Sequence, residues 1–267
     1  MTDMPKAIIP TMRRTACTCY ICLKTKSTKL PRGQLVDKTN IPPFLILHLD
    51  FHFFNVKSIR GFESALAVSC GSTSYAFNFP TRSRAPPIHI LSYLVNVLRT
   101  LNYKVLYLKV DEDGSLARSS EFCSKVEELN CVLQTTGGYN STSNGQVERS
   151  NRFDANVVRP SLSTMNLLMG DKLAKLPKPI NINKFWCCAL NNGTIVHRMV
   201  YNRMRKDSPY YLVHKTRPSV KQLVPLGSFI TIIEDNHQPK VKKLNDRGKL
   251  AHFCGYGSNF RYILYWE

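Results

Sequence analysis

Two short apolar runs each lead into an aspartate: Leu45-Ile-Leu-His-Leu-Asp50-Phe and Val105-Leu-Tyr-Leu-Lys-Val-Asp111. Both are too short for ordinary helices and rich in strand-forming side chains, so both read as buried strands with an Asp at the C-terminal end. Around them the other elements fall into order. Three strands are expected at Phe44–Phe51, about Phe62–Ser69 and Ser74–Phe79, with a turn near Cys70-Gly71. Pro86-Pro87 opens a helix reaching about Leu101, with Ile90, Leu91, Leu94, Val95 and Leu98 at core spacing. The strand ending at Asp111 is followed by a helix over Ser120–Asn130 and a fifth strand over Cys131–Gln134. This succession predicts an α/β domain built on a mixed sheet.

A third acid follows. Ser143 and Gln146 form a capping-box pattern that predicts a helix N-terminus. Glu148 falls in its first turn, where the helix dipole favours a carboxylate. Glu148, Arg152 and Arg159 share one helix face. The alternative, a solvated face with one salt bridge, uses the same residues. The helix is expected to bend or end near Pro160. Between Asp50 and Asp111 lie 60 residues, and between Asp111 and Glu148 lie 36. Two strand-end aspartates and a helix glutamate can converge on two Mg²⁺ or Mn²⁺ ions, which prefer carboxylate oxygen. Such a pair clamps the attacking and leaving oxygens of a phosphoryl displacement.

The chain carries 37 Lys and Arg against 18 Asp and Glu, a formal net charge of +19. That excess favours a polyanion, and nucleic acid over a membrane surface, because no amphipathic basic helix is evident. No apolar run approaches a membrane span, and Met1–Thr15 has no signal-peptide core. Nine scattered cysteines suit a reducing intracellular setting. Seven histidines lack metal-ligand spacing and read as structural.

The spacing of Asp50, Asp111 and Glu148 resembles the acidic triad of retroviral-type integrases, which have a ribonuclease-H-like fold. The surrounding words are similar to copia-type retrotransposon integrases. They are Leu47-His-Leu-Asp-Phe51, Val110-Asp-Glu-Asp-Gly-Ser-Leu-Ala-Arg-Ser119, Thr136-Gly-Gly-Tyr-Asn140, Asn144-Gly-Gln-Val-Glu-Arg149, Lys184-Phe-Trp186 and Tyr201-Asn-Arg203. The resemblance runs from about Cys17 to the C-terminus. It implies a mixed five-stranded sheet flanked by helices, followed by a small basic β-rich tail. Three regions are expected: 1–40, a truncated zinc-domain remnant and basic linker; 41–207, the catalytic core; and 208–267, the basic extension.

Cys19-x-x-Cys22 has the spacing of a zinc pair and resembles the end of the family's zinc domain. No histidine precedes His48, so a native zinc site is not expected. The loop over Gln134–Asn144, with Gly137, Gly138, Tyr139 and Asn140, is placed to close over DNA or to serve as a plain connector. Expected nucleic-acid contacts are Tyr139, Asn144, Gln146, Arg149, Arg152 and Arg159. A further helix is expected around Phe185–Leu190 and Ile195–Tyr201 with a packed Trp186 and a basic tail at Arg198, Arg203, Arg205 and Lys206. From Ser208 the chain reads as β-like, through Ser208–Leu212, Lys215–Gly227 and Phe229–Ile233, before a lysine-rich run and Phe253-Cys-Gly-Tyr256.

The resemblance implies 3′-end trimming and strand transfer of an element's DNA, with two Mg²⁺ or Mn²⁺ ions, a homo-oligomeric assembly, and a nuclear site of action after a cytoplasmic stage. This chain departs from the family pattern at His52, at Thr73-Ser74, and at Asp113-Gly114-Ser115. An alternative is therefore a truncated, catalytically inactive relic that only binds nucleic acid. A ribonuclease-H-like nuclease unrelated to integration is a third, weaker reading.

Overall fold

The computed structural model describes residues 40–112, 114–136, 141–203, 205–221, 223–233, 248–257 and 262–265; for 136, 141–155, 157 and 233 it describes the backbone alone. Five strands form one sheet: β1 (Ile46–Phe53), β2 (Ser64–Cys70), β3 (Ala76–Thr81), β4 (Tyr107–Asp111) and β5 (Val132–Thr136), in the order β3-β2-β1-β4-β5. The first three are antiparallel, whereas β4 runs parallel to β1 and β5 parallel to β4. This is the mixed, helix-flanked, five-stranded sheet expected from the sequence.

Strand alternation sorts the side chains onto two faces. Leu47, Leu49 and Phe51 of β1, Leu66 and Val68 of β2, and Leu108 and Val110 of β4 are buried in one apolar layer. Helices α1 (Ile88–Thr100) and α2 (Ser120–Glu128) close it with Leu91, Leu94, Val95, Leu98, Phe122 and Val126. The α1 residues recur at the expected 3.6-residue spacing, although Ile90 is only partly buried. Each such burial contributes about 1.5–3 kcal/mol relative to exposure. Ser119 caps α2, its hydroxyl accepting the Phe122 N–H at 3.2 Å.

The opposite face is covered by α3 (Ser141–Ala174), a 3-10 turn (Ile182–Phe185) and α4 (Trp186–Met199). There Met165, Met169 and Leu173 of α3 pack with Ala65, Phe185, Trp186 and Leu190. Helix α3 starts two residues before the expected cap at Ser143, and it runs past Pro160 instead of ending there. Proline in a helix interior costs about 3 kcal/mol. The burial of Met165, Met169 and Leu173 beyond it offsets that cost. The segments expected around Phe185–Leu190 and Ile195–Tyr201 are joined in one α4, with Trp186 packed as expected.

Ser208–Leu212 is a helical turn rather than β-like chain. Helix α5 (Pro209–His214) has Ser208 as its cap, whose hydroxyl accepts the Tyr211 N–H at 3.2 Å, and proline at its start. Lys215, at φ 60°, ends it in the left-handed region. Three antiparallel strands follow, β6 (Phe229–Ile233), β7 (Gly248–Tyr256) and β8 (Tyr262–Tyr265), which form the β-rich tail. The tail docks on α4, where Asn191 Nδ2 donates to the Tyr256 carbonyl at 2.7 Å. Gly227 makes this junction close: its φ is +88°, and a Cβ there would lie 2.9 Å from Met165 Cα of α3. The six described cysteines are all free thiols. Among the described residues no helix is long and apolar enough to cross a membrane.

Candidate active site

The two strand aspartates are brought to one place by register. In the parallel β1–β4 ladder Ile46 faces Tyr107, Leu47 faces Leu108 and His48 faces Lys109, and there the ladder ends. Two residues further along both strands stand Asp50 and Asp111. They therefore lie side by side on the face opposite the apolar layer. Asp111 closes β4, as expected. Asp50 does not close its strand, because β1 continues three residues to Phe53 through pairing with β2. Past His48 and Lys109, β1 stays with β2 as far as Phe53–Ser64, and β4 stays with β5 as far as Asp111–Thr136. The aspartates thus mark the point where the two halves of the sheet stop sharing hydrogen bonds.

The surroundings of the pair are small and polar. Opposite Asp50 on β2 is Ala67, and Ala67 faces Asn78 on β3. Asn78 Nδ2 donates to Thr194 Oγ1 of α4 at 2.7 Å, tying that edge of the face to the covering helix. His48 and His52 flank Asp50 at alternate positions on β1 and point to the same face. His48 is buried, and His52 Nδ1 lies 3.8 Å from Asp50 Oδ2, with both side chains one-fifth exposed. Reading the histidines as scattered overlooks this pair. The His-x-Asp-x-His alternation of a strand is the signal that finds it.

Helix α3 packs across β1 and β4 on this same face, and Glu148 belongs to its N-terminal half. The side chains of Glu148, Asn144, Gln146, Arg149 and Arg152 lie outside the described residues, as do Tyr139, Asp113, Cys19 and Cys22 altogether. Arg159 is exposed on α3. Two of the four expected basic-tail residues have structural roles. Arg198 is partly buried over the rings of Tyr75 and Phe77, at 4.7 and 5.0 Å, and its Nε donates to the Ala76 carbonyl at 2.6 Å. Burial pushes its pKa below the ordinary arginine value. Arg205 donates to the Gly71 carbonyl at 2.7 Å, bracing the β2–β3 turn.

Among the described residues no three His, Cys, Asp or Glu side chains are arranged to hold a metal. The donor chemistry of Asp50 and Asp111 nevertheless fits a hard divalent cation, which takes one or two carboxylates and completes its shell with water and phosphate oxygen.

No protein-family model matches the chain. Several solved structures are similar to it. One is the simian T-cell lymphotropic virus intasome in complex with PP2A regulatory subunit B56 gamma, at 18% identity and TM-score 0.43, covering 88% of this chain and 77% of that one. The catalytic core domain of BIV integrase aligns at 16% identity and TM-score 0.40, covering 64% of this chain and 95% of that one. The HTLV-2 integrase catalytic core domain in complex with magnesium aligns at 16% identity and TM-score 0.42, covering 64% and 97%.

Proposed function

We propose that this chain is an integrase-like polynucleotidyl transferase of a copia-type retrotransposon, performing metal-dependent DNA strand transfer. The observation that carries the reading is the register that sets Asp50 beside Asp111, where the β1–β4 ladder ends and beneath the helix that bears Glu148. Asp50 and Asp111 would hold one Mg²⁺ or Mn²⁺ ion, and Asp50 with Glu148 a second. When bound, such ions neutralise charge on the phosphate and lower the pKa of an oxygen nucleophile. The chain's own contribution is placement. Strands fix the two aspartates, and α3 would bring Glu148 towards them from a separate element. Exposed Arg159, with Arg149 and Arg152, supplies positive charge for phosphate contact. The regions 1–40, 41–207 and 208–267 would serve as linker, core and basic extension, in a homo-oligomer acting on DNA in the nucleus.

A second reading has its own observation. The His52 imidazole, 3.8 Å from Asp50 Oδ2, competes for the carboxylate that both ions would share. In that case the chain is a relic that binds nucleic acid without joining strands.

Mn²⁺-dependent strand transfer and disintegration on a branched DNA substrate separate the two. Activity that disappears in Glu148→Gln supports the transferase. Equal inactivity of both proteins, with salt-dependent DNA binding retained, supports the relic.

A further inference from the structure

Three residues beyond Asp50, roughly 10 Å along β1 at the rise of an extended strand, the sheet ends in a cluster of cations set on two aromatic rings, one exposed and one partly buried. Phe53, the last residue of β1, is 45% exposed and carries the Arg84 guanidinium 5.8 Å above its ring. Phe62 is approached by two guanidiniums, Arg60 at 5.5 Å and Arg82 at 5.8 Å. Lys57 joins them, and all four cations are exposed. The acid among them is Glu63, which accepts a hydrogen bond from Lys57 Nζ at 2.9 Å. That bond holds its carboxyl below the ordinary glutamate value, and nearby Arg84 acts in the same direction.

The segment that carries these groups is fixed at many points. The Trp186 indole N–H donates to the Val56 carbonyl at 2.8 Å, and its ring stacks on Phe54 with centroids 3.7 Å apart. The Ile59 N–H donates to the Lys184 carbonyl at 2.7 Å. The Ser58–Phe62 turn is closed by Ser58 N–H to the Phe62 carbonyl and by Phe62 N–H to Ser58 Oγ, both at 2.8 Å. On the β3 side, Ser64 Oγ donates to the Ser83 carbonyl at 2.6 Å, holding the stretch between Arg82 and Arg84. Three guanidiniums and an ammonium are thus gathered around two rings with, among the described residues, one carboxylate between them. Like charges held this close repel, and a bound polyanion removes the repulsion. Arginines resting on rings lose little further freedom on binding. The exposed Phe53 ring and the guanidinium planes beside it offer flat surfaces to an unstacked base.

We propose that Lys57, Arg60, Arg82 and Arg84, with Phe53 and Phe62, form a second DNA-contact surface that takes the phosphate backbone leading to the Asp50–Asp111 site. The surface rests on the reading that the chain acts on DNA, and it is separate from the arginines of α3. A nucleic-acid strand fits it better than an acidic peptide does, because the cations are interleaved with rings and lie at the end of the strand that bears Asp50.

The test is equilibrium binding of the full chain to a labelled DNA duplex with a short single-stranded overhang, measured across a salt series. Arg60→Gln, Arg82→Gln and Arg84→Gln combined should lower the slope of log Kd against log salt by about 2 to 3, close to 0.9 for each phosphate that is no longer neutralised. Arg84→Gln alone should lower it by about 1. Phe53→Ala should weaken binding about ten-fold with the overhang present and leave the blunt duplex unaffected. An unchanged slope in the triple variant overturns the surface. Failure of the surface with intact strand transfer leaves the transferase reading in place. A wild-type chain that binds no DNA overturns both.

Discussion

The two faces of the five-stranded sheet are made by the same strands and differ in almost everything else. On one face Leu47, Leu49, Phe51, Leu66, Val68, Leu108 and Val110 meet α1 and α2 in a closed apolar layer. On the other, His48, Asp50, His52, Ala65, Ala67, Lys109 and Asp111 stand at the alternate positions of β1, β2 and β4. The first face is explained by burial alone. The second is not, because a half-buried carboxylate beside another carboxylate costs free energy without a cation to share. The first face serves folding, and the second is the one the proposed chemistry would use.

Substitutions that break this contrast differ widely in size. Phe122→Ala, at a fully buried position of the apolar layer, should cost about 3–5 kcal/mol by denaturant unfolding. Leu108→Ala should cost about 2–5 kcal/mol in the same measurement, since its side chain is also fully buried. Asn78→Ala, on the polar face, removes the hydrogen bond to Thr194 and should cost about 1 kcal/mol. Asp50→Asn should change stability by no more than about 0.5 kcal/mol, yet abolish strand transfer. Were Asp50→Asn to destabilise the chain as much as Leu108→Ala does, the polar face would be structural and the contrast would collapse.

The apolar face is the easier one to read from sequence. Leu91, Leu94, Val95 and Leu98 show helical spacing, and the runs before Asp50 and Asp111 show strand character, so local pattern and tertiary burial agree. The β1–β4 register is not readable, because nothing local specifies which residues of two distant strands meet. Ser208-Pro-Tyr-Tyr reads as β-like because its tyrosines favour strands. Its serine cap and first-turn proline point the other way, and they decide the outcome. Pro160 reads as a helix bend or stop by a local rule, and the buried methionines beyond it keep the helix going. The pairing of His52 with Asp50 is legible as strand alternation, but a comparison with the family pattern presents His52 only as a departure. Of the basic tail, Arg198 and Arg205 look the same in sequence as any surface arginine; only the aromatic seat and the carbonyls around them show that they brace the fold.

The ladder that sets Asp50 beside Asp111 also governs when the site comes into being. Hairpin contacts among β1, β2 and β3 join neighbours along the chain and close quickly. The β1–β4 pairs join residues far apart in sequence, such as Ile46 with Tyr107, and closing such a loop is entropically costly and slow. On a ribosome the first aspartate therefore waits, already seated in a finished meander, for a partner strand still to be synthesised. The helix bearing the third acid emerges later still. On the proposed reading, competence for chemistry comes after the sheet is complete, and a nascent chain released before α3 has docked would carry the sheet without the third acid.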